Sequence, residues 1–353
     1  MNNNEISCLL CGGSAKLKYD RYPGYQEPDT FRIYHCPHCN TAFPLPKTDT
    51  SVIYENIYKN ADKVPGYNRY WRYAQFIKEF SNPFEYLSAS SEPYWGVKEA
   101  LSLFSNDKKP KILEIGSGLG YLTYSLIKAN YNIVGMDVSN TAVKQAKENF
   151  GDHYICGDLF EYARLNEDSF DVVILTEVIE HIDNPVEFIA SIMKLLKSSG
   201  IAIITTPNKS FFPEDIIWAS DLPPVHYWWF SEESMKFIAN ILNINISFIN
   251  FKNFYKKNYK VIGLKSQRNG YLPNPFFNKD GELIAKVARS KKSLKLRIQI
   301  LIDKIPFGNL LQGILIGRLK MIFGKSRELF ENDLIVCREK GIVMCTIMQK
   351  RPS

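Results

Sequence analysis

No stretch of this 353-residue chain approaches the ~20 consecutive apolar residues that a bilayer-spanning helix needs. The best candidate, Ile305 to Gly317, is broken by Pro306, Gly308, Asn309 and Gln312, which predicts a soluble or at most peripheral protein. An apolar leader is missing as well. The polar start Met1-Asn2-Asn3-Asn4 leads to the expectation of a reducing, cytoplasmic compartment. Acidic residues are scarce in one region: Tyr255 to Glu328 holds 17 Lys/Arg against 4 Asp/Glu, a balance of +13. Since the whole chain is +7, the remainder carries −6. That excludes a generally basic protein and leaves an acidic body with a basic insertion. Apolar residues make up 45% of the chain, ample for a buried core.

What is present speaks loudest at Leu113-Glu114-Ile115-Gly116-Ser117-Gly118-Leu119-Gly120, between an apolar strand signal (Lys111 to Leu113) and a helical run, Tyr121 to Ala129. Alternating glycines at a strand-to-helix turn let backbone N–H groups approach a ligand that a Cβ would keep away. A second strand, Asn132 to Asp137, ends on a carboxylate placed to accept hydrogen bonds from ribose hydroxyls. Further strands are predicted at His153 to Cys156, Phe170 to Leu175, Ile201 to Thr205 and Ile244 to Phe251, with a seventh at Gly341 to Met348. Continuous Val/Ile runs joined by helices predict a parallel sheet buried on both faces. A dinucleotide-binding domain is the alternative, but its fingerprint is G-x-G-x-x-G, and here the third glycine comes one position early.

The motifs E-x-G-x-G-x-G (Glu114 to Gly120), G-x-D-x-S (Gly135 to Ser139), G-D-L-F (Gly157 to Phe160) and F-D-V-V (from Phe170) resemble those of the class I S-adenosylmethionine (SAM)-dependent methyltransferases. The resemblance covers Lys109 to Asn208, and more loosely the region to Phe251. It implies an α/β fold with a Rossmann-like seven-stranded sheet and SAM as cofactor. Carried over, Gly116, Gly118 and Gly120 line the methionine and ribose part, Asp137 holds the ribose, and Asp158 with Leu159 takes the adenine. Glu114 supports the turn or reaches the cofactor's amino group.

Two C-x-x-C knuckles, Cys8/Cys11 and Cys36/Cys39, can aim four thiolates at one tetrahedral Zn²⁺, with disulfide pairing as the alternative. His35 and His38 read as bystanders, and Cys156, Cys337 and Cys345 as buried thiols without a role. These signals divide the chain into a zinc ribbon (1–47), an aromatic-rich helical lid or linker (48–108), the SAM-binding core (109–254), a basic and mainly helical insertion (255–338) and a final core strand (339–353). Within the lid, Tyr67, Tyr70, Trp71, Ala74 and Ile77 follow helical spacing and are expected to pack across the cofactor cleft. Ser81-Asn82-Pro83 and Ser90-Ser91-Glu92-Pro93 read as breaks between helices.

Chemistry is expected at Glu177, Glu180 and His181, the E-x-x-E-H after the fourth strand, whose i, i+3, i+4 spacing on a helical turn lets three side chains converge. They could bind Mg²⁺ or Mn²⁺, or His181 could serve as a bare general base, with His226 completing the site. The cluster resembles that of ubiquinone-pathway O-methyltransferases and small-RNA 2′-O-methyltransferases, where it takes a metal. The layout is similar to glycan and sugar methyltransferases, some with an N-terminal zinc module, although a second α/β domain is lacking. The first expectation is therefore O-methylation of a sugar, glycan or other hydroxyl-bearing acceptor. An RNA methyltransferase gripping phosphates with ribbon and insertion is the alternative, although the ribbon offers only Lys16, Lys18, Arg21 and Arg32. A non-catalytic SAM-binding scaffold is the third reading. The insertion, 255–328, suits an anionic acceptor or peripheral membrane contact, with a packed helical cap as the plain alternative.

Overall fold

The structure is a computed structural model that describes residues 4–104, 109–211, 221–257, 260–263, 272–284, 300–301, 333–336 and 339–352. The chain begins with an antiparallel four-stranded meander: β1 (Glu5–Ser7), β2 (Ser14–Pro23), β3 (Thr30–Cys36) and β4 (Thr41–Leu45). Four helices follow: α1 (Ser51–Lys59), α2 (Tyr67–Phe76), α3 (Pro83–Ser90) and α4 (Glu92–Leu103). The last two open on Pro83 and Pro93 in their first turns, where proline's missing N–H costs nothing. The predicted breaks fall at these two starts.

The central sheet takes β5 (Lys111–Ile115), β6 (Asn132–Asp137), β7 (Tyr154–Cys156), β8 (Phe170–Thr176), β9 (Leu196–Pro207), β10 (Ile244–Phe248) and β13 (Val343–Lys350), with the short pair β11 (Lys260–Gly263) and β12 (Asp333–Val336) lying between the last two in sequence. Its order is β10-β13-β9-β8-β5-β6-β7. Neighbours from β9 to β7 are parallel, and β13 alone runs against both its partners. Alternate residues of each central strand serve opposite faces. Leu113, Ile115, Val173, Leu175, Ala202 and Ile204 join one core; Ile112, Val172, Ile174, Ile201 and Ile203 join the other. The first core is covered by α8 (Pro185–Leu195) and α9 (Glu232–Ile241), the second by α4, α5 (Tyr121–Lys128) and α6 (Asn140–Phe150). Strand order reverses between β5 and β8, and a crevice beyond the carboxyl ends of such strands is where open α/β sheets bind ligands.

The basic insertion departs from its mainly helical expectation where it can be described. Its ends pair as β11 and β12, antiparallel, so the excursion leaves and returns at one point. The helices expected between 290 and 323 lie outside the described residues apart from 300–301. Residues 272–284 are an irregular strap that adds Phe276, Phe277 and Leu283 to a third apolar cluster with Tyr22, Tyr25 and Phe31 of the ribbon. Ile53 and Ile57 of α1 and the loop residues Leu222 and Val225 complete it. The amides of Phe276 and Phe277 both donate to Tyr25 O. Among the described residues no helix is long and apolar enough to cross a membrane. Cys345 is buried as expected, Cys156 is exposed at the sheet edge contrary to expectation, and Cys337 lies outside the described residues. Strand β7 is an edge of only three residues, so its last side chain faces solvent.

Phe277 is fully buried, so Phe277→Ala should cost about 3–5 kcal/mol of local stability. An earlier urea transition of the ribbon, with the sheet's transition unmoved, is the expected result; unchanged unfolding would show that the strap carries none of the ribbon's stability.

Candidate functional site

The turn after β5 is built from three glycines that do different work. Gly116, Gly118 and Gly120 all have positive φ, at 72°, 48° and 83°. A Cβ at Gly116 would lie 2.4 Å from Val178 Cγ2, and one at Gly120 would lie 2.7 Å from Ala146 Cβ and 2.8 Å from Tyr154 Cζ. Those two are small because protein packs against them. At Gly118 a Cβ would meet nothing within 4 Å. This glycine faces open space, which fits a cradle for a ligand. Asp137, at the end of β6, accepts from Gly118 N and from Ser139 N, both at 2.8 Å, so one carboxylate ties the glycine turn to the start of α6. Asp158 caps α7 (Leu159–Leu165) by accepting from the amides of Phe160 and Glu161, with Leu159 buried beneath it. Glu114 is buried and accepts from the Thr123 hydroxyl, and burial pushes its carboxyl up to about 8.

Facing this turn across the crevice is α2. Tyr70 stacks on Tyr121, the first residue after the glycine turn, with rings 6.4 Å apart and 10° from parallel. Tyr94 and Tyr121 share a hydroxyl hydrogen bond of 2.6 Å, and Tyr73 packs on both rings. Arg69 Nη2 donates to Glu177 Oε2 at 2.6 Å, Tyr70 donates to the same oxygen, and the guanidinium lies over the Tyr70 ring. The helical spacing of Tyr67, Tyr70 and Ala74 indicated packing here. Arg69, the cation that ties α2 to the end of β8, carried no sequence signal beyond an Arg beside a Tyr.

The E-x-x-E-H segment is not the convergent helical turn expected of it. Glu177 sits at φ 54°, outside any helix, and only Ile179–His181 form a single 3-10 turn. Glu180 Oε1 lies 3.9 Å from His181 Nε2, but Glu177 does not join them. Glu177 turns toward Arg69. Glu180 is 1% exposed and accepts from Thr206 Oγ1 at 2.9 Å, while its Oε1 has no hydrogen-bond partner. Burial, reinforced by Glu177 and Asp221, holds its carboxyl well above the usual range. His181 Nδ1 meets Val225 O at 2.5 Å. Among the described residues these three do not gather as metal ligands, so the structure lends no support to the expected Mg²⁺ or Mn²⁺ site. The physical reason is that one carboxylate is spent on a guanidinium. His226 does lie beside His181, ring centroids 4.6 Å apart, and its Nδ1 has no partner. Burial lowers both imidazoles' pKa, strongly so at His226 with His181 and Arg69 adding, and both are neutral at pH 7.

The four knuckle cysteines come together with all sulfurs within 4.8 Å of one another, none disulfide-bonded. Cys8 and Cys39 are 3.7 Å apart, Cys11 and Cys36 3.5 Å. Gly12 at φ 71° and Asn40 at φ 52° form the two tight knuckle turns. The Cys39 neighbour pulls Cys8 down to about 5, while Cys39 itself is pushed up by Cys8 and by burial.

A protein-family model described as "Methyltransferase domain" matches residues 113–204, which run from β5 through β9. This part of the chain is therefore similar to methyltransferase domains. A "Ubiquinone biosynthesis O-methyltransferase" from Rickettsia bellii is 34% identical over 119 residues, covering 32% of this chain and 49% of that protein. Another from Rickettsia conorii is 39% identical over 113 residues, covering 30% and 38%. The chain thus spans about half or less of the curated relatives it matches. Among solved structures, a SAM-dependent methyltransferase from Archaeoglobus fulgidus aligns at a TM-score of 0.40 and 15% identity, over 72% of this chain and 93% of that one. The matched region contains the glycine turn, Asp137, Asp158 and the Glu177–His181 segment; Arg69, His226 and the cysteines lie outside it.

The raised Glu114 carboxyl gives the domain a pH signature. Below pH 4.5, its ordinary value, folded and unfolded chains both hold the proton. Between there and about 8 only the folded chain does, so stability falls by up to ~1.4 kcal/mol per pH unit and levels off beyond. Glu114→Gln keeps an acceptor for Thr123 and should remove this slope. Urea midpoints of the two proteins should differ increasingly from pH 5 to 8; a constant difference would show that the carboxyl ionises normally.

Proposed function

We propose that the chain transfers the methyl group of SAM to an oxygen of a small hydroxyl-bearing acceptor. The observation that carries this is the turn at Gly118, open on its ligand side and fixed by Asp137, at the same sheet edge as a neutral histidine. The printed activity of the Rickettsia relatives supports oxygen as the atom methylated. On this reading Gly116 to Gly120 hold the methionine part of SAM, Asp137 the ribose, and Asp158 with Leu159 the adenine. Bound SAM would supply an electrophilic methyl group on a sulfonium.

The chain's own task is to align the acceptor and remove its proton. Val225 O can only accept, so the proton of His181 sits on Nδ1 and the lone pair on Nε2. With 18% of its side chain exposed, His181 can take a proton from an acceptor hydroxyl. Glu177 is assigned to holding α2 over the cleft, and Glu180 to holding the strand end. A sugar or glycan hydroxyl remains our choice within this class. Tyr54, edge-on to His181 at 6.4 Å, gives a flat apolar face with a hydroxyl tip, a surface suited to the C–H and O–H sides of a sugar.

For the cysteines we propose Zn²⁺ in a structural role. A regular tetrahedron with Zn–S of ~2.3 Å has edges of about 3.8 Å, close to the two shortest sulfur separations. One zinc per chain is expected by elemental analysis, and Cys36→Ser should lose it together with ribbon folding. A full chain purified with no zinc and with paired disulfides would refute the assignment.

Two variants separate binding from chemistry. Gly118→Ala should weaken SAM binding at least tenfold in calorimetry while costing only the ~1–2 kcal/mol of a left-handed alanine. His181→Ala should leave SAM affinity nearly intact and lower transfer of labelled methyl by ~10²–10⁴-fold. Absence of SAM binding by the folded wild type would overturn the function, and near-full activity of His181→Ala would overturn the base.

A further inference from the structure

The loop that fixes His181 is itself held from behind by the cysteine ribbon. On one side, residues 225–228 enclose the end of the E-x-x-E-H segment. Val225 O takes the His181 ring, Tyr227 N and Trp228 N donate to Glu180 O at 2.9 and 3.0 Å, and Trp228 Nε1 donates to Ile182 O at 2.7 Å. On the other side, the same loop is bonded to the ribbon at its start and near its end, and the first turn of the helix that follows it is bonded there too. Tyr25 N donates to Pro223 O at 2.7 Å. Ala42 and Trp229 exchange both backbone hydrogen bonds, at 3.2 and 2.9 Å. Ser234 Oγ, in the first turn of α9, donates to Cys39 O at 3.0 Å and accepts from Thr41 Oγ1 at 2.7 Å.

The ribbon's side of these contacts is short and begins at a metal-type ligand. Cys36 and Thr41 are the first β3–β4 pair, Cys36 to Cys39 is the knuckle joining those strands, and Ala42 follows Thr41 directly. The position of Ala42 and of the Cys39 carbonyl therefore depends on the knuckle holding its shape. Four thiols bound to one ion hold it; four unbound thiols have only weak S–H hydrogen bonds to do so.

We propose that the cysteine knuckle is a positioning element for His181: metal held by Cys8, Cys11, Cys36 and Cys39 fixes the 222–230 loop, and through Val225 O it sets the tautomer and orientation of the imidazole. Zinc occupancy then tunes proton removal without touching the SAM cradle, whose turn is bonded to β6 and α5 and makes no hydrogen bond to the ribbon among those described. The catalytic consequence rests on the reading of His181 as the base; the structural coupling does not.

The test uses the full chain with ¹⁵N-labelled histidine, His181 being assigned by comparison with His181→Gln. In the zinc-loaded protein the His181 ring should show one neutral tautomer with the proton on Nδ1. Zinc removal by a chelator should broaden or shift these signals toward mixed tautomers, with SAM affinity changed less than about threefold. Should metal removal unfold the ribbon outright, Ser234→Ala provides the second measurement, since it deletes the hydroxyl's bonds to Cys39 O, Thr41 and Ser231 and leaves every thiol in place. It should move the His181 signals in the same direction, lower kcat about tenfold and leave KM for SAM unchanged, and readdition of zinc should not restore it. Unchanged His181 signals in both the zinc-free protein and Ser234→Ala would overturn the coupling. Signals that move while activity does not would overturn the base and spare the coupling.

Discussion

A buried irregular loop is tolerated only when its backbone polar groups all find partners, and the 222–230 segment imposes that constraint on everything around it. Leu222, Val225, Trp228 and Phe230 are each at most 2% exposed, so the loop belongs to the core although it has no regular structure. Its amides and carbonyls cannot reach water. Tyr227 and Trp228 donate to Glu180 O beyond β8, Pro223 O accepts from Tyr25, Phe230 O accepts from Lys209, and Trp229 pairs with Ala42 of β4. The strand end can leave the sheet at Glu177 because the loop accepts its next turn. The ribbon can dock because the loop offers Trp229 as a strand partner. Remove the loop and the first and third apolar clusters lose the residues that join them.

The second consequence is electrostatic. The crevice beyond β5 and β8 holds carboxyls, imidazoles, phenols and one guanidinium in little space, and little water remains to screen them. The molecule meets this by removing charge. Burial favours the uncharged carboxyls of Glu180 and Glu114, and His181 and His226 stay neutral. The formal charge remaining at the end of β8 is concentrated in one pair, Arg69 with Glu177, and it is hydrogen-bonded by Tyr70. A metal site at the same residues needs ligands that converge, and Glu177 is held by Arg69 instead.

The cofactor half of the site was legible because its signals are local. Three glycines and a strand-ending aspartate within about two dozen residues report a turn whose purpose is close approach, and the continuous apolar strands report a doubly covered sheet. The four cysteines were equally readable, since two knuckles have one geometry that suits four thiols. The acceptor half was not. Its parts come from α1, α2, the end of β8 and a loop some 45 residues further on, and no spacing rule connects Arg69 to Glu177 or His181 to Val225. The E-x-x-E-H spacing suggested a helix, but Glu177 adopts the left-handed region, which breaks the periodicity on which convergence was argued. The excess of aromatic residues before β5 was visible, and its packing role holds; its bond to the catalytic strand required the fold.

Among the described residues, Glu180 Oε1, His226 Nδ1 and Arg69 Nε are polar atoms near that strand with no hydrogen-bond partner. Each such buried atom costs about 1–3 kcal/mol, a burden a fold keeps only where something offsets it. They are of mixed kind: a carboxyl and an imidazole can each donate or accept through one rotation or tautomer change, and the guanidinium only donates. A ligand carrying a single charge could satisfy few of them, and a hydrocarbon none. A group that both donates and accepts, as a hydroxyl does, can satisfy them in turn. Sites built this way discriminate strongly against analogues lacking the hydroxyl, because the unpaired atoms then stay buried and unpaid. Placed around a histidine whose free nitrogen is fixed by Val225, the same three atoms make a surface that favours the acceptor chemistry the neutral base requires.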